Sequence, residues 1–421
     1  MRRLFARKLI ALAGATIALP FLAATASAGT SPQPTQVPDS AITPTTATMG
    51  GASVLPTTRT VAHWHGAATD PHNGVTYGFN MVGADPAANS STTITTDIIP
   101  VNVVVDGMTF NGSDVVQPTL DSPVFALNDY ASTKYVTQPV ANGGWFTKGG
   151  PLSSGNKAVQ LEDATMRSQF NRQGTGYHVI LNPVVHDPIT IDVPSNEGTL
   201  LQSARGVIAP DININWWSAQ LQNLDASLSY MDPTHLPVYL TDNVMLYIGS
   251  SPLNCCVIGY HGAAKVTGNG GGSVNGNGND AVQTFAWASY VTPGFFSPAR
   301  DWALQDIHAL SHEIAEWGDD PFTNNTVEPW LTPTAPQYGC TGLLETGDPV
   351  VGIGFTMGTN TFEQGATPNG TQVADGYYHP EDEALMPWFM RLSPSTAQDG
   401  RYTFMGNLNP YPGFRQPATG C

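Results

Sequence analysis

Ala303-Leu304-Gln305-Asp306-Ile307-His308-Ala309-Leu310-Ser311-His312-Glu313-Ile314-Ala315-Glu316-Trp317-Gly318 repeats apolar residues at intervals of four and three. At about 100° per residue, Ala303, Ile307, Leu310, Ile314 and Trp317 form one narrow stripe, so the segment reads as a helix packed on a core. Ser297 is the expected N-cap, Pro298 the first helical residue and Gly318 the residue just past the end. His308, His312 and Glu316 share the opposite side, with Glu313 between the faces. The plainest reading makes them a solvated face.

Strand patterns surround this helix. The run from Thr92 to Val105 is β-branched and apolar, and Tyr177–Leu181 and Ile189–Val193 continue the type. Closer to the helix, 243–249, 256–260 and 283–291 are short apolar runs of buried-strand character. The expected fold class is therefore α+β: a β-rich part over 61–200, then a mixed sheet with the helix over 201–421. Residues 262–280 are rich in Gly and Asn and read as a surface loop. Residues 29–60 are Thr/Pro-rich and read as a disordered leader. No repeat at solenoid periods is visible.

The first 28 residues have a basic start, an apolar middle and Ala26-Ser27-Ala28, the order of a secretory signal peptide. The expected location is secreted, extracellular or periplasmic, with Arg2-Arg3 also compatible with twin-arginine export. The chain of 421 residues carries a net charge of −17. Residues 1–28 hold four basic groups and no acidic one, so their removal leaves −21. Such a chain repels nucleic-acid phosphates and anionic lipid surfaces. No later apolar run approaches the roughly 20 residues of a membrane span. In an exported protein, Cys255, Cys256, Cys340 and Cys421 suggest two disulfides. A ring between neighbours is strained, so Cys255 and Cys256 are each expected to reach a distant partner.

The string His312-Glu313-Ile314-Ala315-Glu316 is one substitution from the zinc-peptidase pattern of two His flanking a Glu on a helix. Residues four apart lie on one face, about 6 Å apart along the axis, so both reach one ion. The residue after the first ligand is rotated by about 100° and can meet a water at that ion. An oxygen ligand is chemically acceptable at position 316. His308 with His312 is the competing pair; all three exceed one ion's reach, since His308 and Glu316 are about 12 Å apart. Asp319-Asp320 follow at the helix end, where the dipole disfavours acids. A cation would explain them, as would an ordinary Asp-Pro turn.

Cys256–Gly262, Ser311–Glu316, Asp320-Pro321 and Glu345-Thr346-Gly347-Asp348 occur in an order that resembles the phosphate-induced, exordium-like secreted proteins of plants and related secreted bacterial proteins. Their corresponding motifs read His-Glu-Leu-Ala-Glu, Asp-Pro and Glu-Ile-Gly-Asp. The resemblance runs from about Asn243 to Ser395, under half the chain. It implies a divergent zincin-like site with Glu313 as catalytic base and His312, Glu316, Glu345 and Asp348 as metal ligands. His308 lies outside that pattern, which favours the pair His312 and Glu316.

The resulting expectation is a secreted metal-dependent hydrolase, a zincin-like peptidase acting on a peptide or protein from a cleft. The alternative is a non-catalytic binding protein, for instance of a cell-envelope polymer, with a structural ion or none. Zn2+ is the expected cofactor, although one His among carboxylates is a hard donor set that also suits Ca2+ or Mn2+. His261 and His379 are reserve candidates. Glu381-Asp382-Glu383 read as acids opening a helix over 384–390. His63 and His65 read as an idle surface pair, and Trp216 with Ile212 and Leu221 as a buried helix face.

Overall fold

The computed structural model describes residues 9–11, 58–128, 130, 158–203, 206–266, 281–293, 295, 305–333, 339–351, 353–362, 376–394, 401–405, 417–418 and 421. Seven strands build its main sheet: β1 (Ser91–Val105), β2 (Met108–Asn111), β3 (His178–Val185), β4 (Ile189–Asp192), β5 (Leu236–Asp242), β6 (Gly259–Val266) and β7 (Ala281–Tyr290). β6 lies antiparallel to β7, whereas β7, β5 and β1 run parallel. β1 is long enough to carry β3 and β4 in parallel and β2 in antiparallel register. The fold is α+β with mixed sheets, and the main one takes strands from both sides of residue 200.

The strands alternate between two cores, as a sheet buried on both faces requires. Ile94 and Ile98 of β1, Val238 and Leu240 of β5, and Ala286 and Ala288 of β7 face one core. Ile99, Val101 and Val103, then Tyr239, then Phe285 and Trp287, face the other. One helix closes each face. α2 (Ile214–Ser227) buries Ile214, Trp217 and Leu221 in the second core, capped by the Asn213 side chain. Trp216 is only half-buried there, and Ile212 belongs to the preceding strand, which corrects the expected helix face. α3 (His308–Asp319) sets Leu310, Ile314 and Trp317 into the first core and packs on β7 and β6. Beside it lies α1 (Leu161–Gln169).

α3 departs from its expected bounds at both ends. Ser297 and Pro298 lie outside the described residues, but residues 305–307 are described and are not helical. Asp306 has φ +44° and a carboxylate that accepts the Ile307 and His379 N–H groups, so the helix opens only at His308. At the other end Gly318 lies inside the helix. A Cβ there would collide with Oε1 of Glu162 on α1, so close packing selects the glycine.

A second sheet joins Gly198–Gln202, Ile208–Asn213, Met245–Tyr247 and Cys255–Val257, with Leu9–Ala11 parallel to its first strand. The expected signal peptide and leader otherwise fall outside the described residues up to residue 57. Arg59 bridges to Ala281 and pairs with Asp232 at 2.5 Å, just before the expected boundary. Residues 262–266 belong to β6; 267–280 lie outside the described residues. Cys255 and Cys256 bond to each other across a cis peptide, contrary to the expectation of distant partners, and Cys340 bonds to Cys421. That peptide brings the two Cα atoms to 3.1 Å, which a trans linkage does not allow. No helix among the described residues is long and apolar enough to cross a membrane.

Candidate metal centre

All twelve residues of α3 are buried, so the supposed solvated face is an interior one. The sheet covers one side, and the segments 344–350 and 378–384 meet the other. Ala384 N–H donates to Thr346 O, which ties the two segments together, and Leu344 N–H donates to Asn325 O. Glu381 N–H donates to Ser311 Oγ on α3 at 2.9 Å. Gly347 and Gly259 allow the approach: a Cβ on Gly347 would collide with Nδ1 of His312, and one on Gly259 would sit 2.7 Å from Oε1 of Glu313.

Three of the four expected ligands converge. His312, Glu316 and Asp348 offer donor atoms that all lie within 4.8 Å of one another. His312 Nε2 is 3.0 Å from Glu316 Oε1, yet the two are not aligned as a hydrogen bond. Asp348 N–H donates to that same oxygen at 3.2 Å, and Asp348 Oδ2 is buried without a hydrogen-bond partner. Glu345, the fourth, does not join this set: its Oε2 lies 3.9 Å from His261 Nε2 and has no hydrogen-bond partner. Glu313 faces His261, with Oε2 3.4 Å from Nδ1 and Oε1 unpartnered. A second group, His261, Glu313 and Glu316, thus also brings its donor atoms within 4.8 Å.

Two residues outside the expected set orient these side chains. Glu381 Oε2 accepts His312 Nδ1–H at 2.7 Å and lies 2.9 Å from His308 Nε2. A carboxylate holding one ring nitrogen turns the other, Nε2, toward Glu316. His308 therefore stands behind His312 and is not a ligand beside it. His261, from β6, was only a reserve candidate, because nothing in a strand sequence says which helix its side chain meets. Glu381 was misread as opening a helix: residues 378–384 are irregular, and the helix begins at Met386. His379, the other reserve, pairs with Asp306 at 2.8 Å away from this group.

The helix-end acids have an ordinary explanation. Asp320 accepts the N–H groups of Asn324 and Asn325, and Asp319 accepts from Gln169 at 2.5 Å. The electrostatics concentrate on the remaining acids. Burial raises Glu345 and Asp348 well above the usual carboxylate range, and the charge of Glu316 raises them further. Burial also raises Glu313, against the pull of both rings. Glu316 moves the other way, to about 2: burial opposes its charge, but His312 and His261 on its two sides outweigh that. Both rings are held well above the usual value, since the carboxylates outweigh burial.

The site is enclosed and does not line an open cleft, for Glu313, Glu316, His312 and Asp348 are each no more than 2% exposed. Buried donors with unpartnered atoms are costly unless something satisfies them. No family model, no curated protein and no solved structure matches this chain.

Proposed function

We propose that this protein is a secreted, metal-dependent hydrolase of zincin-like type, akin to the exordium-like family, acting on a peptide or protein. One observation carries it: His312, Glu316 and Asp348 offer converging donor atoms on a ring already oriented by Glu381. A divalent cation bound there, Zn2+ by the peptidase pattern, would polarise a carbonyl and acidify a water. Glu313 Oε1, buried and unpartnered, would take a proton and return it to the leaving group. His312, Glu316 and Asp348 would hold the ion, and Glu381 orients the His312 ring.

A second reading is favoured by the burial: an enclosed ion could serve structure alone, in a non-catalytic binding protein. Metal analysis of protein purified without chelator, joined to hydrolysis of a peptide library, separates the two. The hydrolase reading expects bound metal, and a loss on the order of 10²–10⁴-fold in hydrolysis for Glu313→Gln with metal at His312 retained. Metal without hydrolysis leaves the structural reading, and no metal removes both.

A further inference from the structure

We propose that the centre holds two divalent cations, with Glu316 as the carboxylate they share and His261 as the anchor of the second. This rests on the metal-binding reading above. The two converging groups, His312–Glu316–Asp348 and His261–Glu313–Glu316, have only Glu316 in common. Its oxygens serve different rings: Oε1 lies 3.0 Å from His312 Nε2, and Oε2 lies 3.5 Å from His261 Nδ1.

Each ring is anchored through its other nitrogen. His312 Nδ1 is held by Glu381, and His261 Nε2 lies 3.2 Å from the Asp320 carbonyl. A backbone carbonyl only accepts, so Nε2 carries the proton and Nδ1 faces the acids. Ligating histidines are commonly fixed in this way. Glu313, whose side chain is 1% exposed, turns Oε2 to the same Nδ1 at 3.4 Å and leaves Oε1 for the proton.

The distances around His261 favour an ion between the groups over a direct pair. A charged imidazole paired directly with a carboxylate closes to about 2.7–2.9 Å. His261 Nδ1 instead stands 3.4 and 3.5 Å from Glu313 and Glu316. Ligand atoms around a tetrahedral ion with bonds of about 2.0–2.1 Å lie about 3.3 Å apart. Sharing a carboxylate between two ions about 3.5–4 Å apart is a recurring arrangement.

The test is stoichiometry on the full chain, loaded with Zn2+ and dialysed against metal-free buffer. Two ions per chain are expected, falling to one in His261→Ala. The Co2+-loaded protein should show an electron paramagnetic resonance signal weakened by coupling between the ions. In His261→Ala the signal of an isolated Co2+ should return. One ion per chain in the wild type overturns the second site and leaves the proposed function standing; none overturns both. Two ions without coupling overturn the shared Glu316. The wild-type count and spectrum decide the matter even if His261→Ala fails to fold, which circular dichroism would reveal.

Discussion

Under the proposed function Glu381 would act on a bound ion only through His312, so its loss should be felt in affinity and not in the fold. Glu381→Gln keeps the size of the side chain while weakening its hold on Nδ1 at 2.7 Å. The expected result is a 10–100-fold weaker metal affinity in a chelator competition, with an unchanged circular dichroism spectrum. Unchanged affinity would show that Glu381 has no orienting role. The residue scale also shows what the sequence could carry. His312, Glu313 and Glu316 are legible because one helix fixes their spacing, and Asp348 because its motif resembles a known pattern. Glu381 and His261 reach the site from an irregular segment and an edge strand, where local pattern says nothing of long-range contact. Glu345, expected beside His312, faces His261 instead.

At the scale of the element, α3 was readable as a helix but not as one buried all round. Its period gives the apolar stripe, whereas the polar side is covered by segments far along the chain. Gly318 tests that packing. In an exposed helix interior, Gly→Ala stabilises by about 1 kcal/mol. Here the added methyl would meet Glu162, and overpacking typically costs about 1–3 kcal/mol, so the sign should reverse. Urea denaturation should find Gly318→Ala destabilised in the native background and neutral or stabilised beside Glu162→Ala. Equal effects in both backgrounds would exclude the collision. Trp317 offers a second measure: it is fully buried and donates through Nε1 to Thr284 Oγ1 at 3.0 Å. Trp317→Ala should cost about 3–5 kcal/mol and detach the helix from β7.

For the whole molecule, the buried-strand runs announce a sheet with two cores, but not that strands from both halves of the chain pair in it. The cysteines likewise announce two bridges without their partners. The Cys340–Cys421 bond spans 81 residues, and closing a loop of that size removes about 4.5 kcal/mol of freedom from the unfolded chain in the chain-entropy account. The Cys340→Ser, Cys421→Ser pair should be destabilised by about 2–5 kcal/mol in urea denaturation. Buried acids away from the candidate metal site set a pH dependence as well. Burial raises Asp211 to about 8, and raises Asp225 to about 7 against its hydrogen bond from Tyr239. Burial raises Asp242 to about 7, with Asp114 adding to it. A carboxyl whose folded pKa exceeds its unfolded one binds more protons when folded, so its stabilising share is complete below about pH 4. That share is lost as pH rises through the folded value, at about 1.4 kcal/mol for each pH unit separating the two. With metal removed by chelator, stability should therefore fall between about pH 4 and pH 8. Both oxygens of Asp211 are buried without a partner, which makes it the cleanest probe. Asp211→Asn keeps the shape and removes the ionisation, so its midpoint denaturant concentration should lose less than the wild type between pH 6 and pH 8. Parallel profiles for the two proteins would mean that Asp211 is not protonated in the fold.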